Sequence, residues 1–267
     1  MPASEPSRVS DLDRLAVAVR DGGAIAQKFF RGTFKSWTKG EGDSPVSEAD
    51  IAVNDLLRAR LPREGDGWLS EESENDPARL GSRRVWVVDP IDGTRAFIAG
   101  REDWSVSVAL VEAGRPVLAA VYAPAVDELF LAMACGGATR NGTLIRASVG
   151  ASFEGARIAG PKRRLDWIAG RHAGLIAMPR VHSLALRLVR VAQAELDGAI
   201  AGSNANDWDL AAADLLVHEA GGVLTSLDGR TLLYNQPESS HGVLVAAGPH
   251  RHAVLVDLMR AQESEPA

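Results

Sequence analysis

Val85-Trp86-Val87-Val88-Asp89-Pro90-Ile91-Asp92-Gly93-Thr94 opens as a short apolar run, the pattern of a strand buried on both faces. It ends in acid, proline, acid and glycine. Proline cannot continue a central strand and favours a turn. The turn lets Asp89 and Asp92 converge, where an unbroken strand would send them to opposite faces. Two carboxylates at the end of a buried strand repel one another unless a cation lies between them. Gly93 and Thr94 then offer backbone N–H groups and a hydroxyl, suited to a phosphate if a helix starts there. An Asp-Pro or Asp-Gly pair alone reads as a turn before a capped helix. What reverses that reading is the set of partners elsewhere in the chain.

Immediately upstream, Trp68-Leu69-Ser70 is a short strand running into Glu71-Glu72. Adjacent acids at a strand end usually mean a solvated loop, but the buried strand that follows makes neighbouring strand ends plausible. Further back, Ser47-Glu48-Ala49-Asp50 resembles a capping box. It leads into Ile51, Val53, Leu56, Leu57 and Leu61, a helix halted near Pro62. Asp50 therefore has a bland role as an N-terminal helix acid and a possible site role, and the two are compatible. Residues 35–44 are polar and glycine-bearing and read as a loop. Between residues 11 and 30, Leu12, Leu15, Ala16, Val19, Ile25, Ala26 and Phe29 recur at helical spacing, with Gly22-Gly23 either bending the helix or permitting close packing.

Downstream, residues 104–131 have a β pattern, continued by strand 128–133 and by turns at Gly136-Gly137 and Asn141-Gly142. The later part alternates differently: strand 156–159, a basic loop at Gly160-Pro161-Lys162-Arg163-Arg164, a strongly amphipathic helix at 183–196, and strand 199–201. A helix at 209–220 stops at Gly221-Gly222. Strands 223–227 and 243–247 and a last helix around 253–259 follow. This order predicts an α+β amino half (1–145) carrying the acidic motifs and an α/β carboxyl half (146–267), packed closely as one catalytic unit.

The 267 residues suffice for a core that needs no staples, and 46% hydrophobic with 24% charged residues describe an ordinary soluble globule. The lone Cys135 excludes an intramolecular disulfide, suggests a reducing compartment, and reads as a small buried residue rather than a nucleophile. No stretch has the length of a membrane span. The amino-terminal seven residues are polar and disorder-prone, without a signal-peptide core, so a cytoplasmic location is expected. The net charge of −6 argues against binding a nucleic-acid polymer.

Four separated segments place acids beside a predicted element end: Asp50, Glu71-Glu72, Asp89 with Asp92, and Asp209 at the start of a helix. No His/Cys cluster suggests zinc; oxygen-only donors favour Mg²⁺ or another hard cation. Asp207-Trp208-Asp209 also reads as an N-cap acid beside a packed tryptophan.

Leu69-Ser70-Glu71-Glu72-Ser73, Asp89-Pro90-Ile91-Asp92-Gly93-Thr94, and Trp208-Asp209-Leu210-Ala211-Ala212 with Glu219-Ala220-Gly221-Gly222 resemble the ordered signatures of the inositol monophosphatase superfamily. The resemblance spans about residues 44–235. It implies a five-layered αβαβα sandwich of the inositol monophosphatase and sugar phosphatase type. It also implies a lithium-sensitive phosphomonoesterase using two or three Mg²⁺ ions, often a homodimer. Glu71, Asp89, the Ile91 carbonyl, Asp92 and Asp209 would bind metal. Thr94 paired with Asp50 resembles the family's water-orienting dyad, with Glu71 on the nucleophile's side. Asp92, Gly93, Thr94 and Asp209 would hold the substrate, and Glu72 would sit behind the metal ligands. The chemistry agrees, since a phosphate monoester dianion repels an attacking hydroxide and two metals offset that repulsion at both attacking and leaving oxygens.

Within the superfamily, Asp43-Ser44-Pro45-Val46-Ser47-Glu48-Ala49-Asp50, Leu69-Ser70-Glu71-Glu72, Asp92-Gly93-Thr94-Arg95, Val121-Tyr122-Ala123-Pro124 and Gly229-Arg230-Thr231-Leu232-Leu233-Tyr234 look similar to the 3′(2′),5′-bisphosphate nucleotidases. The implied substrate is 3′-phosphoadenosine 5′-phosphate. Gly160-Pro161-Lys162 departs from the pattern, standing where many relatives have a serine-containing loop. Lys162-Arg163-Arg164 is the dense positive run of the carboxyl half, and Lys162 is the expected contact for a second phosphate. The alternatives are an inositol-1-phosphate phosphatase, a sugar bisphosphatase, or a metal- or phosphate-binding regulator without turnover. The intact Asp50, Glu71 and Thr94 argue against the regulator.

Overall fold

A computed structural model describes residues 5–39 and 44–264, with the backbone alone at 5–7. The first four residues of the polar amino terminus, the middle of the 35–44 segment, and Asp43 of the early motif lie outside the described residues. Helix α1 (Glu5–Phe29) comes first. Its Gly22-Gly23 pair serves close packing: a Cβ on Gly23 would lie 2.5 Å from the Tyr122 ring, and one on Gly22 would lie 3.2 Å from Val53. Strands β1 (Ser36–Lys39) and β2 (Ser44–Ser47) then pair antiparallel. The expected loop is thus partly a ribbon. Its first strand is largely exposed, so no apolar alternation marks it in the sequence. Helix α2 (Glu48–Arg60) follows, starting at the capping box.

A seven-stranded sheet comes next in chain order: β3 (Gly67–Ser70), β4 (Arg84–Asp92), β5 (Ser105–Glu112), β6 (Arg115–Ala123), β7 (Glu128–Met133), β8 (Gly137–Arg140) and β9 (Thr143–Leu144), with α3 (Thr94–Ile98) after β4. β3 pairs parallel to β4, and the rest is an antiparallel meander. The chain continues through β10 (Arg157–Ala159), α4 (Lys162–Ala169), β11 (Ile176–Ala177), α5 (Leu184–Ala192), β12 (Gly198–Ala201), β13 (Ala205–Asn206), α6 (Asp207–Glu219), β14 (Val223–Ser226), β15 (Ser240–His241), β16 (Leu244–Ala247) and α7 (Pro249–Ser264). A second sheet has the order β11-β10-β12-β16-β14. Among the described residues no helix is long and apolar enough to cross a membrane.

Side-chain alternation along β4 builds two cores at once. Trp86 and Val88 pack with Leu15, Val19, Val53 and Leu57 of α1 and α2. Val85 and Val87 face the other way, with Leu188, Val189, Leu210 and Leu216 of α5 and α6. The far side of α5 and α6 meets the five-stranded sheet, whose outer face packs Ile158, Ile200 and Val245 against Leu165, Ile168, Leu255 and Met259 of α4 and α7. The layers are therefore helix, sheet, helix, sheet, helix, as expected.

Three local expectations are corrected. Proline does not end β4: the strand runs to Asp92 through a bulge. The 160–164 segment is a loop only at Gly160 and Pro161, and its three cations open a helix. Pro161, at φ −60, is the N-cap of α4, and Lys, Arg and Arg are good helix formers. Cys135 is exposed rather than buried; it sits in the β7–β8 turn at φ 63. There Glu219 accepts the N–H groups of Cys135 and Gly137, each at 2.8 Å.

Candidate active site

The bulge in β4 builds the centre of the site. Asp89 faces Ser107 and Asp92 faces Ser105, so three steps on β4 match two on β5. The extra residue places both carboxylates on one side of the sheet, which regular alternation would forbid. Pro90 costs no ladder bond there, since bulges tolerate proline. Gly93 then turns the chain at φ 92, a conformation that favours glycine. An added Cβ would come within 3.1 Å of Asp103 O and Ser183 N.

Helix starts supply the other acids. Asp50 is the third residue of α2 and accepts the Ser47 N–H at 2.8 Å and the Ser47 hydroxyl at 2.5 Å on Oδ2. Asp209 is the third residue of α6 and accepts the Asn206 N–H at 2.6 Å. Both are capping-box residues, so the local rule that starts each helix also aims its carboxylate. Asp92 serves α5 from outside: it accepts the Ser183 hydroxyl at 2.5 Å and the N–H groups of Ala185 at 2.7 Å and Leu184 at 3.1 Å. Negative charge is favoured at all three helix starts.

Asp89, Asp92 and Asp209 offer carboxylate oxygens within 4.8 Å of one another. Glu71 joins them from the end of β3, its N–H donating to Val88 O at 3.2 Å. Lys39 of β1 donates to Glu71 O at 3.1 Å and is ion-paired with Glu72. Burial, then Glu72, push the Glu71 carboxyl up to about 7, although Lys39 opposes the shift. Asp89 is raised well above the ordinary carboxylate range by burial and by Glu71, Asp92, Asp209 and Asp50. Burial and Asp92 raise Asp209 likewise. Burial also raises Asp92 and Asp50, against the hydrogen bonds each accepts. Asp89 Oδ1 is buried and accepts no hydrogen bond from a described residue. A buried carboxylate oxygen left without a donor, among other acids, fits a hard cation.

The Thr94 hydroxyl lies 2.9 Å from Ile91 O and 3.2 Å from Asp50 Oδ1. Its one proton is shared between those acceptors, which brings Asp50, Ile91 and Thr94 to the same place. Beyond Asp92 and Asp209 opens a cavity of about 830 Å³, whose wall includes Lys162, Arg180, His182 and Arg187. Lys162 is largely exposed and held by Asp166 at 2.6 Å. Arg163 and Arg164 line a separate small cavity, where Arg164 meets Glu263 at 2.7 Å. Ser183, Arg187, His182 and Asp103 were not anticipated from the sequence. For Ser183 a signal existed: a serine immediately before an amphipathic run is an N-cap, and it accepts the Leu186 N–H at 2.9 Å.

A layered αβαβα fold with carboxylates gathered at a strand end defines a phosphatase class, and comparison with known proteins specifies it. The model of the inositol monophosphatase family matches residues 9–264. A histidinol-phosphatase of Mycobacterium tuberculosis is 37% identical, the match covering 70% of this chain and 75% of that protein. A 3′-phosphoadenosine 5′-phosphate phosphatase of Mycobacterium bovis is 35% identical, covering 75% of this chain and 74% of that protein. A solved inositol monophosphatase from Zymomonas mobilis matches with a TM-score of 0.77 at 26% identity, covering 97% of this chain and 99% of that one. The chain belongs to the inositol monophosphatase family and is a phosphoric monoester hydrolase.

Proposed function

We propose that this phosphatase is Mg²⁺-dependent and acts on 3′(2′),5′-bisphosphate nucleotides, converting 3′-phosphoadenosine 5′-phosphate to AMP and phosphate. The observation that carries this reading is the polarity of the cavity: acids at one end, cations along the wall. Arg187, 8% exposed, rests its guanidinium on the carbonyls of Val181 and Ile200 and has no carboxylate bonded to it among the described residues. Burial works against its charge, Asp92 supports it and Arg180 opposes it. Two cations on a cavity wall whose acids, Asp92 and Asp209, would be engaged by metal suit a second phosphate. The volume of about 830 Å³ falls in the range of sites that bury a whole drug-sized ligand. A single ring with one phosphate would leave the cationic wall unused.

Glu71, Asp89, the Ile91 carbonyl, Asp92 and Asp209 would hold the two or three Mg²⁺ ions, and the unbonded Asp89 Oδ1 supports that assignment. Bound Mg²⁺ supplies positive charge to the phosphoryl oxygens and makes water more acidic. The chain's own groups then orient the reactants. With the Ile91 carbonyl engaged as a ligand, Asp50 is the remaining acceptor for the Thr94 proton, leaving the Thr94 oxygen to accept a hydrogen bond from the attacking water. Asp50 cannot swing away, because Ser47 holds its second oxygen. The N–H groups of Gly93 and Thr94 hold the phosphate, and Lys162 reaches the 5′-phosphate.

The second reading, hydrolysis of inositol 1-phosphate, is favoured by the likeness of the whole fold to an inositol monophosphatase. A comparison of kcat/KM for 3′-phosphoadenosine 5′-phosphate, inositol 1-phosphate and histidinol phosphate at fixed Mg²⁺ decides the matter. The nucleotide is expected to lead by tenfold or more; a lead for either other ester would overturn the nucleotidase reading.

A further inference from the structure

The cavity wall also carries one imidazole whose orientation is fixed. His182 lies on that wall with Asp92 and Asp209, and its side chain keeps 27% exposure. Its ring Nδ1 is 2.7 Å from Asp103 Oδ2, and its backbone N–H donates to the same oxygen at 2.8 Å. An ionised carboxylate only accepts, so Nδ1 carries the hydrogen and Nε2 is the free end of the ring. Nε2 makes no hydrogen bond to a described residue.

Asp103 is itself braced. Arg101 Nε donates to Oδ1 at 3.0 Å, and the Asp103 carbonyl accepts the Ser183 N–H at 3.2 Å. Burial works to raise the Asp103 carboxyl, but hydrogen bonds from His182 and Arg101 outweigh it and hold the group below its ordinary range. The pair is thus built into the junction between the Gly93 turn and the start of α5, beside the carboxylate that caps that helix. Of the acids in the cluster, only Asp92 and Asp209 border the cavity; Asp50, Glu71 and Asp89 do not. The alcohol half of the substrate therefore extends past Asp92 and Asp209, towards His182.

We propose that His182 Nε2 accepts a hydrogen bond from the hydroxyl on the carbon next to the scissile ester, so that His182 selects vicinal hydroxy phosphate esters and Asp103 positions it. This inference rests on the phosphomonoesterase reading above. With Nδ1 committed to Asp103, Nε2 is the nitrogen that carries the lone pair whenever the ring is neutral. The ribose of a 3′-phosphate carries such a hydroxyl at C2′, and an inositol phosphate carries one on each side. A polar group enclosed in a site is penalised unless it finds a partner, and a site built for a substrate hydroxyl rejects the analogue that lacks it.

The test compares kcat/KM for 3′-phosphoadenosine 5′-phosphate and its 2′-deoxy analogue in wild type, His182→Phe, His182→Ala and Asp103→Asn. Wild type is expected to favour the ribonucleotide about five- to tenfold. Both His182 variants should bring that ratio close to one. Asp103→Asn, which keeps the ring but loosens it, should lower the ratio part of the way without moving the midpoint of Mg²⁺ activation. Thermal melts verify that each variant is folded, and the alanine variant adds no bulk should phenylalanine disturb the junction. A wild-type ratio near one, or a ratio preserved without the imidazole, overturns the proposal. Failure of the nucleotide reading looks different: neither nucleotide is turned over while inositol 1-phosphate is. The same ratio is then read on inositol 1-phosphate and the analogue lacking the adjacent hydroxyl. A preference that disappears with the imidazole supports the proposal there too, and a preference that is absent or survives its removal overturns it.

Discussion

Asp11 and Asp89 are equally buried, each 1% exposed, and their surroundings are opposites. Asp11 lies among Arg14, Arg63 and Arg84, all within 3.0 Å. Asp89 lies among Glu71, Asp92, Asp209 and Asp50, and no described cationic side chain is ion-paired with it. The first cluster supplies the counter-charge for its acid from within the chain. The second does not, and buried like charges of this kind are strongly unfavourable without a counter-ion. One acid therefore belongs to the fold, and the other awaits something the chain does not supply.

The sharpest way to break this contrast is to neutralise each acid in turn. Asp89→Asn and Asp209→Asn should each abolish phosphate release from any substrate while the protein stays folded by circular dichroism. Asp11→Asn should do the reverse, leaving kcat near wild type but costing about 1.5–3 kcal/mol in urea unfolding, because it weakens the charge-assisted bonds that three partly exposed arginines make to one buried carboxylate. Similar behaviour of the two sites would end the distinction.

A smaller effect is expected at Thr94. A group that orients the attacking water acts in the transition state, so Thr94→Ala should lower kcat by about 10²–10⁴-fold with little change in KM. A loss below about threefold would leave Thr94 only a role at the start of α3. Smaller again is the loss at Lys162. A charge-assisted hydrogen bond of roughly 1.5–3 kcal/mol corresponds to a ten- to hundredfold fall in kcat/KM. Lys162→Ala should show it for 3′-phosphoadenosine 5′-phosphate relative to adenosine 3′-monophosphate. Arg164→Ala should leave that ratio alone, since Arg164 is bound to Glu263. Equal losses on both substrates would remove Lys162 from the second-phosphate site.

The contrast also marks what the sequence reveals. Acids of the site are legible because each follows a local rule: Asp50 and Asp209 stand third in a capping box, Asp89 and Asp92 lie on either side of a proline at a strand end, and Glu71 directly follows a short strand. Their convergence through a bulge is not legible, because one extra residue on β4 is defined only against β5. His182 and Asp103 escape notice for the same reason, as does the bond from Ser183 to Asp92, since these contacts join segments far apart in the chain. The segment at Lys162 misleads in another way. Its three cations read as a loop, while Leu165 and Ile168 behind them are buried against α7 and the sheet, a pairing too short to register as helical periodicity.

The smallest effect concerns pH. The Glu71 carboxyl is raised from its ordinary 4.5 to about 7, so without metal the folded state holds that proton more tightly than the unfolded chain. Its contribution is fully present below about 4.5 and is lost as pH rises through about 7. In EDTA the Tm should accordingly fall over that window by a few degrees, and saturating Mg²⁺ should remove the fall. A flat or rising Tm in EDTA would contradict the electrostatic account of Glu71.

The central claim is that the Asp89 cluster is held together by a bound cation. Thermal melts of wild type and Asp89→Asn, each with EDTA and with Mg²⁺, test it most directly. Without metal, Asp89→Asn should melt above wild type, because the amide never ionises and the fold no longer bears the cost that burial and the neighbouring acids impose on Asp89. With Mg²⁺, wild type should gain several degrees and overtake the variant, which should gain little. If the two proteins gained equally from Mg²⁺, or if neither gained, Asp89 would not be a metal ligand and the account would fail.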